Sequence, residues 1–277
     1  MESSKLIYDV GMNDGVDTAY YLSLGYDVVA IEANTMLAEQ GQARFEAEIR
    51  QGRLRILNLA IASEPGVIPF WICESNHGWS SLDESRLRRA GVPYHRADIA
   101  SRSLGDVIAE HGIPYYVKID VEGCEQLCVD GLTPELAPTY LSLELFSVVD
   151  DSDGGHHPIL RRLHELGYRS YALINQVTHT TSTPIFLGEP GYRALRKMCR
   201  VLPFAENLIR SLPDWLRPEK IEFDPPRTAV SHSGSFGADL QDGWMTLDQT
   251  TRKADWLWRG AQASNHAGCH FDLHCKR

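Results

Sequence analysis

The sequence has no uninterrupted apolar run long enough to cross a bilayer, which excludes a membrane-spanning helix. It is short of basic residues: 27 Lys and Arg stand against 37 Asp and Glu, a formal net charge of −10. A surface of that sign repels phosphate backbones, which disfavours generic nucleic-acid binding. Arg86, Arg88 and Arg89 form one small basic cluster, read as a solvated helix face. Cysteine is scarce, with six residues scattered at 73, 124, 128, 199, 269 and 275. The polar stretch Met1–Lys5 leads straight into a strand-like run and carries no secretory pattern. Reduced thiols and a cytoplasmic location are therefore expected. There is no internal repeat and no low-complexity tract. The dinucleotide fingerprint G-x-G-x-x-G is absent as well, which weighs against a nicotinamide-dependent oxidoreductase, the alternative enzyme for a sheet of this kind.

What is present is an ordinary globular composition, 43% hydrophobic and 23% charged, enough for a sizeable core. Along residues 1–180, strand-like and helix-like segments alternate. Apolar runs at Leu6–Val10, Tyr26–Ile31, Leu54–Ile61, Val67–Cys73, Tyr115–Val121, Tyr140–Phe146 and Tyr168–Ile174 predict strands. Helical patterns fill 14–24, 35–50, 104–110 and the stretch from 125, and Ile159, Leu160, Leu163 and Leu166 share a helical face stopped by Gly167. Such alternation with short connections predicts a right-handed parallel α/β sheet. The polar stretch Glu74–Arg89 is read as a loop. Beyond residue 180 the character changes: seven of the 14 prolines lie between Pro184 and Pro226, and four of the six tryptophans come at or after Trp215. Residues 181–277 are therefore expected to form an irregular, partly helical extension, a lid or a homodimer surface, with two short helices between Tyr192 and Leu216.

Three signals carry chemistry. The first is Asp9-Val10-Gly11-Met12-Asn13-Asp14-Gly15, directly after the first strand. Glycines there allow a tight turn and close approach of a ligand, and the next helix presents free N–H groups. The spacing suits a ligand with an ammonium and a carboxylate better than a pyrophosphate. The second is Glu32 at the end of the second strand, 21 residues after Gly11. A carboxylate in that place can accept hydrogen bonds from both hydroxyls of a ribose. Asn34 is a weaker candidate for the same pocket. The third is Lys118-Ile119-Asp120-Val121-Glu122-Gly123-Cys124-Glu125 at the end of a buried strand. Crowded carboxylates repel, which raises a pKa toward that of a general base; they could instead hold a divalent metal through oxygen ligands. Glu144 is an acidic residue inside an apolar strand and needs a partner if buried.

These elements together resemble the FkbM family of methyltransferases. The resemblance rests on the Asp9–Gly15 turn, Glu32, Asn58 before Ala60, Trp79-Ser80-Ser81-Leu82 and above all Lys118–Glu125, and spans residues 6–175 in order. It implies a Rossmann-like class I methyltransferase fold, a seven-stranded and mostly parallel sheet, here with a C-terminal extension. It also implies S-adenosylmethionine as donor and O-methylation of a small molecule, secondary metabolite or sugar. By that resemblance Asp9, Gly11 and Asn13, with Met12 and Gly15 in the same turn, lie by the donor's methionine part. Glu32 lies by its ribose. Asn58 and Ala60, after the third strand, are read as bordering an adenine, and Ala33 and Asp120 complete the candidate donor-binding residues. Asp120, Glu122 and Glu144 are the candidate bases, with His77, His156, His157 and His179 as loop alternatives. Cys124 stands where the family usually has a small residue such as alanine. Residues 180–235 depart further, so the acceptor does not carry over. At the C-terminus His266, Cys269, His270, His274 and Cys275 match no trusted zinc spacing, and alternating Phe271 and Leu273 predict a terminal strand. A non-catalytic protein that keeps the donor pocket is the remaining alternative.

Overall fold

The computed structural model describes residues 5–146, 156–175, 233–241, 243–264 and 271–277. Seven strands form the main sheet: β1 (Leu6–Val10), β2 (Asp27–Ile31), β3 (Leu54–Leu57), β7 (Tyr116–Ile119), β8 (Tyr140–Phe146), β9 (Ser170–Asn175) and β10 (Phe271–Lys276). Their spatial order is β3-β2-β1-β7-β8-β10-β9. The pairs among β3, β2, β1, β7 and β8 are parallel, and β10 runs antiparallel to both β8 and β9. The expected seven-stranded, mostly parallel sheet is the one found. Strand β10 lies beyond residue 180 yet sits between β8 and β9, so the far end of the chain completes the sheet.

The central strands are apolar on both faces because helices cover both. Alternate residues divide between two cores, as the two-residue period of a strand requires. Tyr8, Val10, Val117, Ile119, Leu141 and Leu143 face one side. There they meet helices α5 (Leu104–His111), α6 (Glu125–Asp130), α7 (His156–Glu165) and α8 (Leu247–Ser264). Ile7, Val28, Ala30 and Tyr116 face the other, against Tyr21 and Leu22 of α1 (Val16–Ser23) and against Phe45. Phe236 arrives there from the C-terminal part of the chain and stacks on Tyr116 with ring centroids 4.7 Å apart.

Four expectations change. The run 54–61 is two strands, not one. After β3, Asn58 and Leu59 bend the chain and Ala60–Ile61 forms β4 in a second sheet of order β4-β6-β5, with β5 at Gly66–Cys73 and β6 at Tyr94–Arg102. Strand β6 escapes an apolar-run reading because it is largely exposed and charged, with only Ile99 and Ser101 buried. The helical stretch 35–50 breaks into α2 (Thr35–Arg44) and α3 (Glu46–Arg50) at Phe45, whose φ of −107° and ψ of 27° leave the helix. The 74–89 loop contains α4 (Glu84–Ala90), capped by Asp83 Oδ1 accepting from the Ser85 N–H at 2.9 Å and ended by left-handed Gly91. The two helices expected within 192–216, and His179, His266, Cys269 and His270, lie outside the described residues.

Candidate active site

The strand order reverses between β1 and β7: the chain steps outward from β1 to β3, then returns to place β7 on the other side of β1. Open α/β sheets bind ligands at that reversal, outside the carboxyl ends of the strands. A cleft opens there, lined by residues that follow β1, β2 and β7. Val10, Ile31, Leu59 and Ala60 form an apolar floor, and Phe70 and Leu82 close it from the side of the second sheet. Asn13, Glu32, His77, Ser80, Asp120 and Glu122 are among its polar and charged lining.

The turn after β1 is pressed directly on the end of β7. Gly11 has φ +88°, and a Cβ there would lie 1.8 Å from the Asp120 carbonyl oxygen. The Asp120 N–H donates to the Val10 carbonyl at 2.9 Å. Asn13 (φ 52°) and Glu122 (φ 54°) are the non-glycine residues with positive φ among the described residues, and both border the cleft. Such conformations cost about 1–3 kcal/mol each and persist where the surroundings hold them. The Asn13 N–H donates to Glu32 Oε2 at 2.7 Å. The Glu122 carbonyl accepts from Ser81 Oγ at 2.8 Å.

Glu32 is buried, and its Oε1 accepts from the Asn34 N–H at 2.8 Å. Burial raises its pKa, and the N–H donors of Asn34 and Asn13 oppose that rise. Asn58 Nδ2 donates to the carbonyls of Glu32 at 2.9 Å and Ala33 at 3.3 Å, so it braces the turn from outside the cleft. Beneath the turn, Asp9 is fully buried and accepts from Thr18 Oγ1 at 2.6 Å. Its Oδ1 has no hydrogen-bond partner among the described residues. Burial pushes Asp9 up to about 7, against the nearby Lys118 cation. Lys118 sits 3.0 Å from Asp17 and 3.2 Å from Asp120. Burial would lower its pKa, but Asp120, Asp17 and Asp9 together hold it well above the usual lysine value.

At the end of β7 the carboxylates crowd together. Burial, with Asp120 and Glu144 adding repulsion, pushes Glu122 up to about 9 although Arg86 Nη2 is 3.0 Å from its Oε2. Proximity to a guanidinium alone would favour an ionised carboxylate. The burial and the neighbouring acids outweigh it, so Glu122 keeps its proton at neutral pH and Arg86 donates to the neutral carboxyl. Burial likewise pushes Glu125 up to about 7, where its Oε1 accepts from the N–H groups of Gly123 at 3.1 Å and Val121 at 3.3 Å. Asp120, Glu122 and Glu125 are thus matched by Lys118, Arg86 and backbone donors. Among the described residues they form no group of metal-ligand geometry.

The family model for the methyltransferase FkbM domain matches residues 9–170, more than half of the 277. The chain belongs to the FkbM methyltransferase family. No curated protein matches it. Among solved structures, the methyltransferase FkbM from Methylobacillus flagellatus KT is 15% identical, with a TM-score of 0.40. That match covers 60% of this chain and 39% of the other. Precorrin-6y C5,15-methyltransferase from Geobacter metallireducens GS-15 is 10% identical, at 63% and 70% coverage and a TM-score of 0.35. An O-methyltransferase from Bacillus cereus in complex with SAH is 13% identical, at 62% and 67% coverage and a TM-score of 0.32.

Within this FkbM domain, Gly11, Asn13, Glu32, Ala33, Ala60, Asp120 and Glu122 line the cleft together. Four other candidate donor-binding residues stand behind it. Asp9 and Asn58 support the turns as described. The Met12 side chain packs on Gly41, where a Cβ would come within 2.6 Å of the Met12 methyl. Gly15 caps α1 against the Phe45 ring. Glu144 is buried on β8 and does not border the cleft; it reaches the site by its charge on Glu122 and Glu125. His77 borders the cleft, with a buried Nδ1 that has no hydrogen-bond partner among the described residues. Arg86, grouped with a solvated helix face by its neighbours in sequence, is instead 12% exposed and tied to Glu122. No spacing rule could pair them, because they are 36 residues apart.

Proposed function

We propose that this FkbM domain transfers a methyl group from S-adenosylmethionine to a hydroxyl oxygen of a small molecule or sugar. The observation that carries the reading is the convergence of Glu32, Asp120 and Glu122 with the Gly11–Asn13 turn at one switch-point cleft. An acidic cleft with an apolar floor suits a donor that joins an aromatic base to a sulfonium and an ammonium. Each Glu32 oxygen accepts one backbone N–H and keeps a lone pair for a ribose hydroxyl. Gly11 and Asn13 would flank the methionine part, and Ala60 with Leu59 and Phe70 the adenine. When bound, S-adenosylmethionine supplies a methyl group already activated on sulfur. What remains for the protein is to align the acceptor oxygen and take its proton. Asp120 is the proposed base. Glu122, protonated at neutral pH, would donate to the acceptor and hold it in place, with Glu144 tuning it through charge.

Incubation with S-adenosylmethionine and matched panels of hydroxylated and amine acceptors, read as S-adenosylhomocysteine formed, tests the reading. Turnover with hydroxyl acceptors supports it. Turnover confined to amines would overturn the oxygen assignment, and donor binding with no turnover on any acceptor would favour a non-catalytic domain. Glu32→Ala should weaken donor binding roughly 10–100-fold, the equivalent of a charge-assisted hydrogen bond of about 1.5–3 kcal/mol. Unchanged affinity in a folded variant would remove Glu32 from the ribose site.

A further inference from the structure

Away from the cleft, three side chains converge on one point. His156 and His157 open α7, and Asp255 lies on the neighbouring helix α8. His156 Nε2 is 2.9 Å and His157 Nε2 is 2.6 Å from the same Asp255 oxygen, Oδ1. The two imidazoles are 4.5 Å apart between ring centres, tilted by 56°. One potential ligand atom from each of the three lies within 4.8 Å of the others. His156 is buried, whereas the His157 and Asp255 side chains are 45% and 31% exposed. The cluster is therefore walled on one side and open to water on the other. None of the three borders the cleft.

We propose that His156, His157 and Asp255 form a binding site for a divalent transition metal of the zinc class. Two imidazole nitrogens and one carboxylate oxygen are the donor types such ions select, whereas magnesium and calcium select oxygen. A tetrahedral ion at about 2.0–2.2 Å from each ligand atom needs those atoms roughly 3.3 Å apart. From their present 2.9 Å and 2.6 Å contacts with Asp255 Oδ1, the two nitrogens would have to move out by roughly 0.4 and 0.7 Å to reach it. The exposed side leaves the fourth position for water or an outside ligand. The ion would also clamp α7 to α8. The two helices already pack in one apolar core, through Ile159, Leu160 and Leu163 on one and Ala254 and Leu257 on the other. This site stands independently of the methyl-transfer reading.

The test uses the full chain, stripped with a chelator and titrated with Co²⁺ by visible absorption and with Zn²⁺ by calorimetry, followed by thermal unfolding. One equivalent should bind, with the absorption of a tetrahedral nitrogen/oxygen Co²⁺ site and a higher Tm. His157→Ala and Asp255→Ala should each weaken binding by at least the roughly 10–100-fold that loss of an outer-shell partner causes. His157 is half-exposed, so its variant keeps the fold, which circular dichroism checks. Cys269→Ser/His270→Ala, which alters the C-terminal histidine and cysteine cluster, should leave binding unchanged. Absence of Co²⁺ and Zn²⁺ binding, binding that survives both His157→Ala and Asp255→Ala, or binding lost in the Cys269/His270 variant instead would each overturn the proposal.

Discussion

Gly11→Ala should lower the unfolding free energy by about 2–5 kcal/mol and abolish donor binding. Two effects add. A residue with a Cβ costs about 1–2 kcal/mol in a left-handed conformation, and Gly11 has φ +88°. The new methyl group would also fall 1.8 Å from a backbone oxygen, that of Asp120. Backbone cannot rotate away as a long side chain can, so β1 and β7 must part at the cleft, adding the roughly 1–3 kcal/mol of overpacking. Gly25 supplies the control: its φ is +86°, but a Cβ there meets nothing within 4 Å. Gly25→Ala should therefore lose only the conformational part, about 1–2 kcal/mol, and keep donor binding. Urea unfolding of the two variants side by side measures the difference. Equal losses would mean that the turn is not pressed on Asp120.

Glu122→Gln should stabilise the protein progressively as pH rises from 5 to 8. The Glu122 carboxyl is pushed from an ordinary value of 4.5 up to about 9, by burial first and then by Asp120 and Glu144. Between those two values the native state holds a proton that the unfolded chain has released. Native stability must then fall as pH rises through that window, at most by roughly 1.4 kcal/mol per pH unit from this group. Glu125 and Asp9, both raised by burial to about 7, add the same sign over the lower part of the window. Glutamine has no proton to lose and still accepts from Arg86. The unfolding free energy of the variant relative to the parent should therefore grow by up to roughly 4 kcal/mol between pH 5 and pH 8. A difference that stays flat with pH would show that Glu122 is ionised in the native protein, paired with Arg86.

The cleft was legible where chemistry is local. A glycine that turns the chain right after a strand, a carboxylate closing the next strand and an acidic run closing a third each show beside their own strand in the sequence, and Gly11, Glu32, Asp120 and Glu122 do meet. The family model reaches the same stretch, residues 9–170. What was not legible depends on distant partners. Arg86 reads as surface until Glu122 is brought to it. Met12 lies between two cleft residues, but its side chain turns to Gly41. Glu144 sits in a candidate acidic set yet acts through burial and charge. Strand β6 hides because it is largely exposed and charged, and β10 enters the sheet from far along the chain, between β8 and β9, where Phe271 and Leu273 are buried.

The central claim is a donor pocket at the β1/β7 switch point. Isothermal titration calorimetry of the intact protein with S-adenosylmethionine and with S-adenosylhomocysteine, each with and without magnesium, tests it most directly. One site for each ligand is expected at micromolar strength, about −8 kcal/mol, with no dependence on magnesium, since Asp120 and Glu122 are already matched by Lys118 and Arg86. Failure of a demonstrably folded sample to bind either ligand would contradict it.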